Sequence, residues 1–328
     1  MAEPEPGQPG PGAPNPDGRP QSRAAFDALY VRLRQQADTA GPPASDGGRG
    51  ALSTITPARV LAAAAEVLSG LTVSLSSPIE TGTAPDNPHP AGHRLTSGPE
   101  AETADRELHF ATDHFAMNVH GDADSHLDAL CHVVFDGTLY GGVPASTVTA
   151  EGATALSVDL VRNGIVGRGV LLDIPRLRGV PWLEPGDHVT ADDLRAAEAA
   201  QGVRVDTGDI LLVRVGHRRR REEAGPWDAS RSRAGLHPAA MEFLAERRVA
   251  VLGSDGNNDT APSLTEGVDF PVHVLGIHAL GLHFMDYLRF EDLVPLCEEA
   301  DRWSFLCVVA PLRLPAATGS PVNPIAVL

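Results

Sequence analysis

Hydrophobic and polar positions along the chain predict strands and helices that alternate. Short apolar runs bounded by turn residues, typical of buried strands, occur at 71–79, 169–174, 209–215, 249–255 and 305–314, and a short extended segment at 283–288. Helical patterns occupy 53–70, 190–202, 236–248 and 270–281. Thr56 and Thr190 are suited to cap two of these helices, and Gly70 and Gly202 to end them. The pattern predicts an α/β domain with a mixed sheet.

The first 46 residues have the composition of a leader rather than of a folded domain. The opening MAEPEPGQPGPGAPNPDGRPQS is rich in Pro and Gly, and DTAGPPASDGGRG (38–50) is again loop-like. Between them, residues 24–37 are compatible with a short helix. We therefore expect residues 1–46 to be disordered or weakly ordered and the folded domain to span 47–328. Truncation before about Ser45 should then leave the melting temperature almost unchanged.

The net charge of the chain limits the kinds of partner that the protein is expected to bind. The 328 residues include 42% hydrophobic and 21% charged residues, with a net charge of −17. This charge argues against nucleic acid or an anionic membrane as the main partner. The exception, HRRRREE (217–223), is expected to be a solvated loop, with an anionic substrate or partner contact as the alternative.

The cysteines and the N-terminus favour a cytoplasmic protein. Cys131, Cys297 and Cys307 are widely spaced and form no CxxC pair, which suits free buried thiols in a reducing compartment. The sequence shows no signal-peptide pattern and no apolar run long enough to span a membrane. We expect a soluble cytoplasmic location.

The segment HGDADSHLDALCHVVFDG (120–137) concentrates histidines and aspartates. As a β-strand, it would place alternate residues on one face: Asp122, Asp124, His126, Asp128, Leu130 and His132. The other face would be small or apolar. Such a polar row suggests three interpretations: a solvated sheet face, a divalent metal site with His126 and Asp128 as ligands, or a general acid or base at His132. The last two are compatible with each other.

At these residues the sequence resembles the cyclase-family metal-dependent hydrolases, which include bacterial kynurenine formamidase and isatin hydrolase. DADSHLDALCH is similar to the signature HxGTHxDxPxH, and ITPARVLAA, RGVLLDI, GDILLVRVG, AGLHPAAMEFLAERRVAVLGSD and GSPVNPIAVL resemble other family segments in family order. The resemblance covers about Gly47 to the C-terminus. It implies a swivelling β/β/α domain, assembly into homodimers or homotetramers, and hydrolysis of amide or lactam bonds with metal-activated water. Some members are polyketide-pathway cyclases.

The resemblance also assigns roles residue by residue. His126 matches the second histidine ligand, Asp128 the metal-bridging aspartate, and His132 the closing histidine that acts as general acid and base. His273 in PVH and Asp286 in MDYL lie near the family's second-metal histidine and glutamate, with a spacing one residue longer.

Asp122 departs from the signature, because it stands where the family has its first histidine ligand; Asp124 and Leu130 replace the signature glycine and proline. If Asp122 is a ligand, two carboxylates and one imidazole favour manganese over zinc. Alternatively, Asp122 points away and hydrogen-bonds locally, and His120 is another substitute for the lost histidine.

Other polar residues are expected to have structural roles. His278 and His283 are interpreted as packing or surface residues, and Asp255 and Asp259 as turn-formers, with a binding loop as the alternative. Trp182 and Trp227 either line an aromatic substrate's pocket or simply pack.

Together these observations predict a hydrolase of an amide, lactam or ester bond in a small cyclic or aromatic molecule. Manganese or zinc would be the cofactor, and His132 the general acid/base. The alternative is a biosynthetic cyclase or dehydratase that uses the same acid/base residues without a catalytic metal. A third hypothesis is a binding protein that has lost the chemistry, but retention of His126, Asp128 and His132 argues against it.

Overall fold

A computed structural model of the protein describes residues 19–40, 48–98, 108 and 110–328. Within these ranges the helices are α1 (Arg23–Ala40), α2 (Pro57–Ala64), α3 (Ile174–Arg178), α4 (Ala191–Gln201), α5 (His217–Ala224), α6 (Met241–Arg247), α7 (Pro271–His273) and α8 (Val294–Ala300). A π-helix, Val274–Ala279, continues α7, and 3-10 turns occupy Gly50–Thr54, Tyr140–Gly142, Ala145–Thr147, Val158–Val161 and Pro238–Ala240.

The strands of the described chain are short. They are β1 (Thr72–Ser74), β2 (Gly92–Ser97), β3 (Thr112–Ala116), β4 (His126–Asp128), β5 (Val148–Thr149), β6 (Gly152–Ala153), β7 (Ile165–Asp173), β8 (His188–Val189), β9 (Ile210–Arg214), β10 (Gly235–Leu236), β11 (Val251–Ser254), β12 (His283–Asp286), β13 (Ser304–Val309), β14 (Gly319–Pro321) and β15 (Ile325–Val327). The three pairs β2–β3, β5–β6 and β8–β10 stand apart from the main sheet.

Nine strands of the described ranges form one mixed sheet in the order β1-β15-β13-β7-β9-β11-β12-β4-β14. The neighbours β7, β9, β11 and β12 run parallel, whereas β4 pairs antiparallel with both β12 and β14. Asp128 of β4 therefore lies opposite Phe284 on one side and Gly319 on the other. The predicted fold class, an α/β domain of the swivelling β/β/α type with a mixed sheet, is confirmed.

Both faces of the central strands are buried. In β7, Val170 and Leu172 join one hydrophobic cluster and Leu171 joins the other. In β9, Leu211 joins the first of these clusters and Leu212 joins the second. This alternation explains why these strands appear in the sequence as continuous apolar runs.

Helix ends follow the local sequence at α2 and α4. The Thr190 side chain accepts from the backbone N–H of Asp193 and completes a capping box, and Gly202 ends α4 at φ 62°. Thr56 caps α2 through the backbone N–H of Arg59, as predicted. However, α2 ends at Ala64, earlier than the predicted end at Gly70.

The three cysteines are buried and free, as expected. Burial raises the pKa of Cys131 to about 11 and of Cys297 and Cys307 to about 12. Thiols with such values are inert, because the thiolate is the reactive form.

The expectation that the leader is disordered or weakly ordered is wrong for residues 19–40, whereas residues 1–18 and the predicted boundary between residues 46 and 47 lie outside the described residues. Phe26, Leu29 and Leu33 of α1 are at most 1% exposed and belong to the main hydrophobic core. They recur at helical spacing on one face, a pattern outweighed in the sequence by the surrounding Pro/Gly composition. Arg32 Nη2 also donates to Glu242 Oε1 at 2.8 Å. Among the described residues, no helix, α1 included, is both long and apolar enough to cross a membrane.

The packing of α1 predicts a stability change opposite to that expected for a loose leader. Leu29→Ala should lower the free energy of unfolding by about 2–5 kcal/mol, because it opens a cavity in the core. Val31→Ala, on the same helix but 50% exposed, is the control and should change it by less than about 0.5 kcal/mol. Urea unfolding measures both values, and a neutral Leu29→Ala would contradict docking of α1.

Candidate metal centre

The centre is built around β4. His126 and Asp128 are two residues apart on this strand and share a face, with Nε2 of His126 lying 3.7 Å from Oδ1 of Asp128. Asp286 of β12 lies opposite His126 in the antiparallel pairing. Donor atoms of His126, Asp128 and Asp286 all lie within 4.8 Å of one another, and all three residues are buried.

His273 reaches the same point from α7. Its Nε2 lies 3.4 Å from Oδ2 of Asp128 and 3.5 Å from Oδ2 of Asp286. The structure thus brings together four of the five predicted ligands: His126, Asp128, His273 and Asp286.

A loop after β11 orients these side chains. Asp259 accepts from the backbone N–H of Val272 at 2.7 Å and of His273 at 3.0 Å, and from Nδ1 of His273 at 2.5 Å. Asn257 and Asn258 donate their amides to the two oxygens of Asp286, at 2.8 and 2.5 Å. Polar groups beyond the carboxyl ends of parallel strands are a common position for a site in an α/β sheet. Asp259 therefore orients His273, beyond the predicted turn-forming role.

Two further histidines adjoin Asp128. Nδ1 of His120 lies 2.8 Å from Oδ1 of Asp128, and the His120 ring stacks on His132 with centroids 3.8 Å apart. His120, Asp128 and His132 form a second group whose donor atoms lie within 4.8 Å of one another. Within the described residues, neither ring nitrogen of His132 has a hydrogen-bond partner, which leaves this imidazole available for proton transfer.

The prediction that residues 120–137 form one strand is wrong. Only His126–Asp128 is strand, and the preceding residues bend. Asp124 instead accepts from the backbone N–H of Glu80 at 2.8 Å. Asp122 accepts a hydrogen bond from Tyr287 Oη at 2.6 Å, and this bond satisfies the buried phenol, which needs an acceptor. Asp122 belongs to neither donor group. The predicted ligand role of Asp122 is at odds with this geometry, because Asp122 is hydrogen-bonded elsewhere; its partner is distant in sequence, however, and not local as the alternative proposed.

The basic run 217–223 is also not a loop. It forms α5, and its Arg218 is buried and donates from Nη2 to the backbone oxygens of Ala123 and, at 2.9 Å, Tyr287. Arg221 pairs with Glu80 at 3.0 Å and with Asp86. The expectation of a solvated loop was wrong because it rested on the charge of the run and did not consider which of its residues share one face of a helix. One face of α5 thus ties together the loop before β4, the residue after β12 and the 80–86 segment.

The remaining predicted polar residues lie outside the donor groups. His278 contacts Tyr30 Oη at 2.8 Å, and His283 is fully buried, so both are packing residues as expected. Asp255 accepts from the backbone N–H of Val215. The indole of Trp182 donates to Glu184, and that of Trp227 to the backbone of Ser232.

Carboxylates and imidazoles in the centre shift each other's pKa values. Burial raises the pKa of Asp128, but the imidazoles of His132, His120, His273 and His126 outweigh it and hold that pKa well below its usual value. Burial lowers the pKa of His132 to about 4, against the opposing effect of Asp128, so this ring is neutral near pH 7 and can accept a proton. Oδ2 of Asp128 is buried and accepts no hydrogen bond from any described residue. Asp128 and Asp286 place two buried carboxylates on the Nε2 side of His273, which fits a cation, whereas Asp259 accepts from Nδ1 on the other side of that ring.

Cavity size does not mark this centre. One cavity of about 360 Å³ is lined by α1, Tyr140 and Leu280, and another of about 700 Å³ by Phe115, Ser125 and Leu312. Neither is lined by a residue of the two donor groups. The convergence of donor atoms, rather than the volume of a cavity, identifies the site.

The sequence itself shows the family. Residues 73–258, more than half of the chain, match the family described as "Putative cyclase". The chain belongs to the cyclase family. The matched region includes His120, β4 and His132, whereas His273 and Asp286 follow it.

Solved structures resemble this cyclase-family chain over most of its length. A crystal structure described as a novel cyclase is 30% identical, with a TM-score of 0.79, and the match covers 91% of this chain and 99% of that one. An isatin hydrolase bound to the product analogue thioisatinate is 20% identical (TM-score 0.55; 83% and 95% covered). Isatin hydrolase A from Ralstonia solanacearum is 23% identical (TM-score 0.55; 83% and 97% covered). The likeness to the isatin hydrolases shows a shared fold. No curated protein matches the sequence.

The roles of Asn257 and Asn258 were not predicted from the sequence. A signal for the asparagines existed, since GSDGNND follows a buried strand where α/β proteins place polar site residues.

The contacts of Arg218 in this cyclase-family protein predict a structural role. Arg218→Met should lower the free energy of unfolding by about 1–3 kcal/mol, because it removes the Arg218 donor from the carbonyl oxygen of Ala123 and one of the two side-chain donors from that of Tyr287. Arg219→Met is the matched control. Its exposed guanidinium pairs only with Glu223 among the described residues, and its loss should cost less than about 0.5 kcal/mol. Equal effects in urea unfolding would contradict the role given to Arg218.

Proposed function

We propose that this cyclase-family protein is a metal-dependent hydrolase that cleaves an amide, lactam or ester bond in a small cyclic or aromatic molecule. The observation that carries the proposal is the convergence of two imidazoles, His126 and His273, and two carboxylates, Asp128 and Asp286, with Oδ2 of Asp128 buried and without a hydrogen bond from any described residue. The fold shared with isatin hydrolases supports the reaction class. Assembly as a homodimer or homotetramer stays a prediction from the family resemblance.

The donor set suits manganese or zinc. His126, Asp128, His273 and Asp286 would hold the ion, since imidazole nitrogen with carboxylate oxygen is a common set for these metals. Nδ1 of His126 donates to the backbone oxygen of Asp124 at 2.9 Å, and this fixes Nε2 as the free nitrogen. A bound divalent ion would lower the pKa of a water molecule and polarise the substrate carbonyl.

His132 is the proposed general acid/base. Its neutral ring can take a proton from the attacking water and then give it to the leaving nitrogen or oxygen. The negative charge of Asp128 beside it stabilises the protonated ring between these two steps. Stacking on His120 holds the imidazole in place.

A biosynthetic cyclase or dehydratase is the second candidate function. The family description and the likeness to a novel cyclase favour it. In this case His132 would act as acid and base on the carbon skeleton, without a catalytic metal. Dependence on metal separates the two functions.

Metal content gives the first test of the hydrolase. Protein purified without chelator should contain stoichiometric manganese or zinc, and chelation should abolish hydrolysis of a probe panel of isatin, N-formylkynurenine and phenyl acetate. Asp286→Asn should weaken metal binding at least about 10–100-fold, while the exposed Asp292→Asn should not. Metal-free protein with full activity after chelation would support the cyclase and refute the hydrolase.

Substitution of the acid/base residue gives the second test. His132→Asn should lower kcat on the best probe by about 10²–10⁴-fold with little change in melting temperature or metal content. His278→Asn, at a packing histidine away from the centre, is the control for general loss of an imidazole and should keep activity. Near-normal turnover by His132→Asn would show that the role is misassigned.

A further inference from the structure

Asp122 is held away from the metal centre by a buried partner. Tyr287 is fully buried and donates its hydroxyl to Oδ1 of Asp122 at 2.6 Å. The backbone of Tyr287 has φ 56°, and its carbonyl oxygen accepts from Ser125 Oγ at 2.6 Å and from Arg218 at 2.9 Å. Turning Asp122 toward Asp128 would leave the phenol without its acceptor in the interior, which is costly. Asp122 and Tyr287 therefore form a fixed pair.

Three imidazoles share one arrangement around Asp128. In each, one ring nitrogen lies within hydrogen-bond distance of a polar group in the surrounding protein: the backbone oxygen of Asp124 for His126, Asp259 for His273, and the Thr318 hydroxyl, which can accept or donate, at 3.0 Å for His120. The other nitrogen of each ring faces the Asp128 carboxylate, at 3.7, 3.4 and 2.8 Å. An imidazole that donates outward and turns its second nitrogen inward has the geometry of a metal ligand. His132 lacks the outward partner among the described residues, which sets it apart.

The inward-facing nitrogens of the three imidazoles approach different oxygens of Asp128. His120 Nδ1 and His126 Nε2 approach Oδ1, whereas His273 Nε2 approaches Oδ2, beside Asp286. The neighbouring strand leaves room for the His120 ring, since a Cβ at Gly319 would lie 2.7 Å from its Cε1. The position of His120 is thus part of the sheet packing.

We propose that His120, in place of Asp122, supplies a metal ligand on the Oδ1 side of Asp128. This inference rests on the proposed function, because it needs a metal at the centre. It replaces a second negative ligand with a neutral imidazole on that side of Asp128. Such a set leaves the ion a stronger Lewis acid and better suited to zinc than the Asp122 alternative.

Zinc binding by the full-length protein tests the proposal. His120→Ala and the more conservative His120→Gln should lose zinc equivalents or bind zinc at least about 10-fold more weakly, in competition with a chromophoric chelator. Asp122→Asn keeps an acceptor for Tyr287 and should stay within about 2-fold of the wild type, as expected for a residue outside the ligand set. The histidine contribution to the zinc X-ray absorption fine structure should fall in the His120 variants alone, which a purely positioning role would not produce. Melting temperatures of the metal-free proteins check folding.

The outcomes separate this inference from the proposed function. Wild-type protein that binds zinc, with unchanged binding and histidine signal in both His120 variants, overturns the role of His120 and leaves the hydrolase standing. Loss of zinc in Asp122→Asn alone returns the ligand role to Asp122. Wild-type protein that binds neither zinc nor manganese overturns both proposals.

Discussion

A carboxylate shielded from water within a sheet must be compensated, and Asp128 imposes this requirement on the structure around it. Its side chain is fully buried on β4, between β12 and β14. An uncompensated buried charge costs several kcal/mol, so cationic or hydrogen-bonding groups have to surround it. Histidines approach from β4 itself, from α7 and from the segments that flank β4. The same carboxylate both lowers the cost of a cation at the centre and would stabilise a protonated His132.

The side chains around Asp128 are in turn held in place by residues further from it. Asp259 anchors His273 and accepts from the backbone N–H of Val272 in α7, while Asn257 and Asn258 fix Asp286. All three come from the loop after β11, so one segment orients two of the donors. On the other side, α5 ties the loop before β4 to Tyr287 through Arg218. The parallel strands of the sheet supply the rigid elements on which these loops meet.

Local pattern was enough to predict the α/β sheet and the pairing of His126 with Asp128, because strand periodicity is a short-range property. His273 and Asp286 emerged only from the family resemblance, since no local pattern relates them to β4. The docking of α1 was missed because a three-residue apolar face was outweighed by its Pro/Gly-rich surroundings. The Asp122–Tyr287 bond joins residues 165 positions apart, and only the tertiary structure shows it. The burial of Arg218 could not be predicted either, because its charged neighbours in the sequence indicated an exposed segment.

Anomalous diffraction can detect a divalent cation bound beside Asp128. Crystals grown with manganese or zinc should be measured on both sides of the absorption edge of that metal. We expect an anomalous peak at about 2.0–2.2 Å from Nε2 of His126 and from a carboxylate oxygen of Asp128. A peak elsewhere on the protein, or none at all from crystals that contain the metal in their mother liquor, would contradict it.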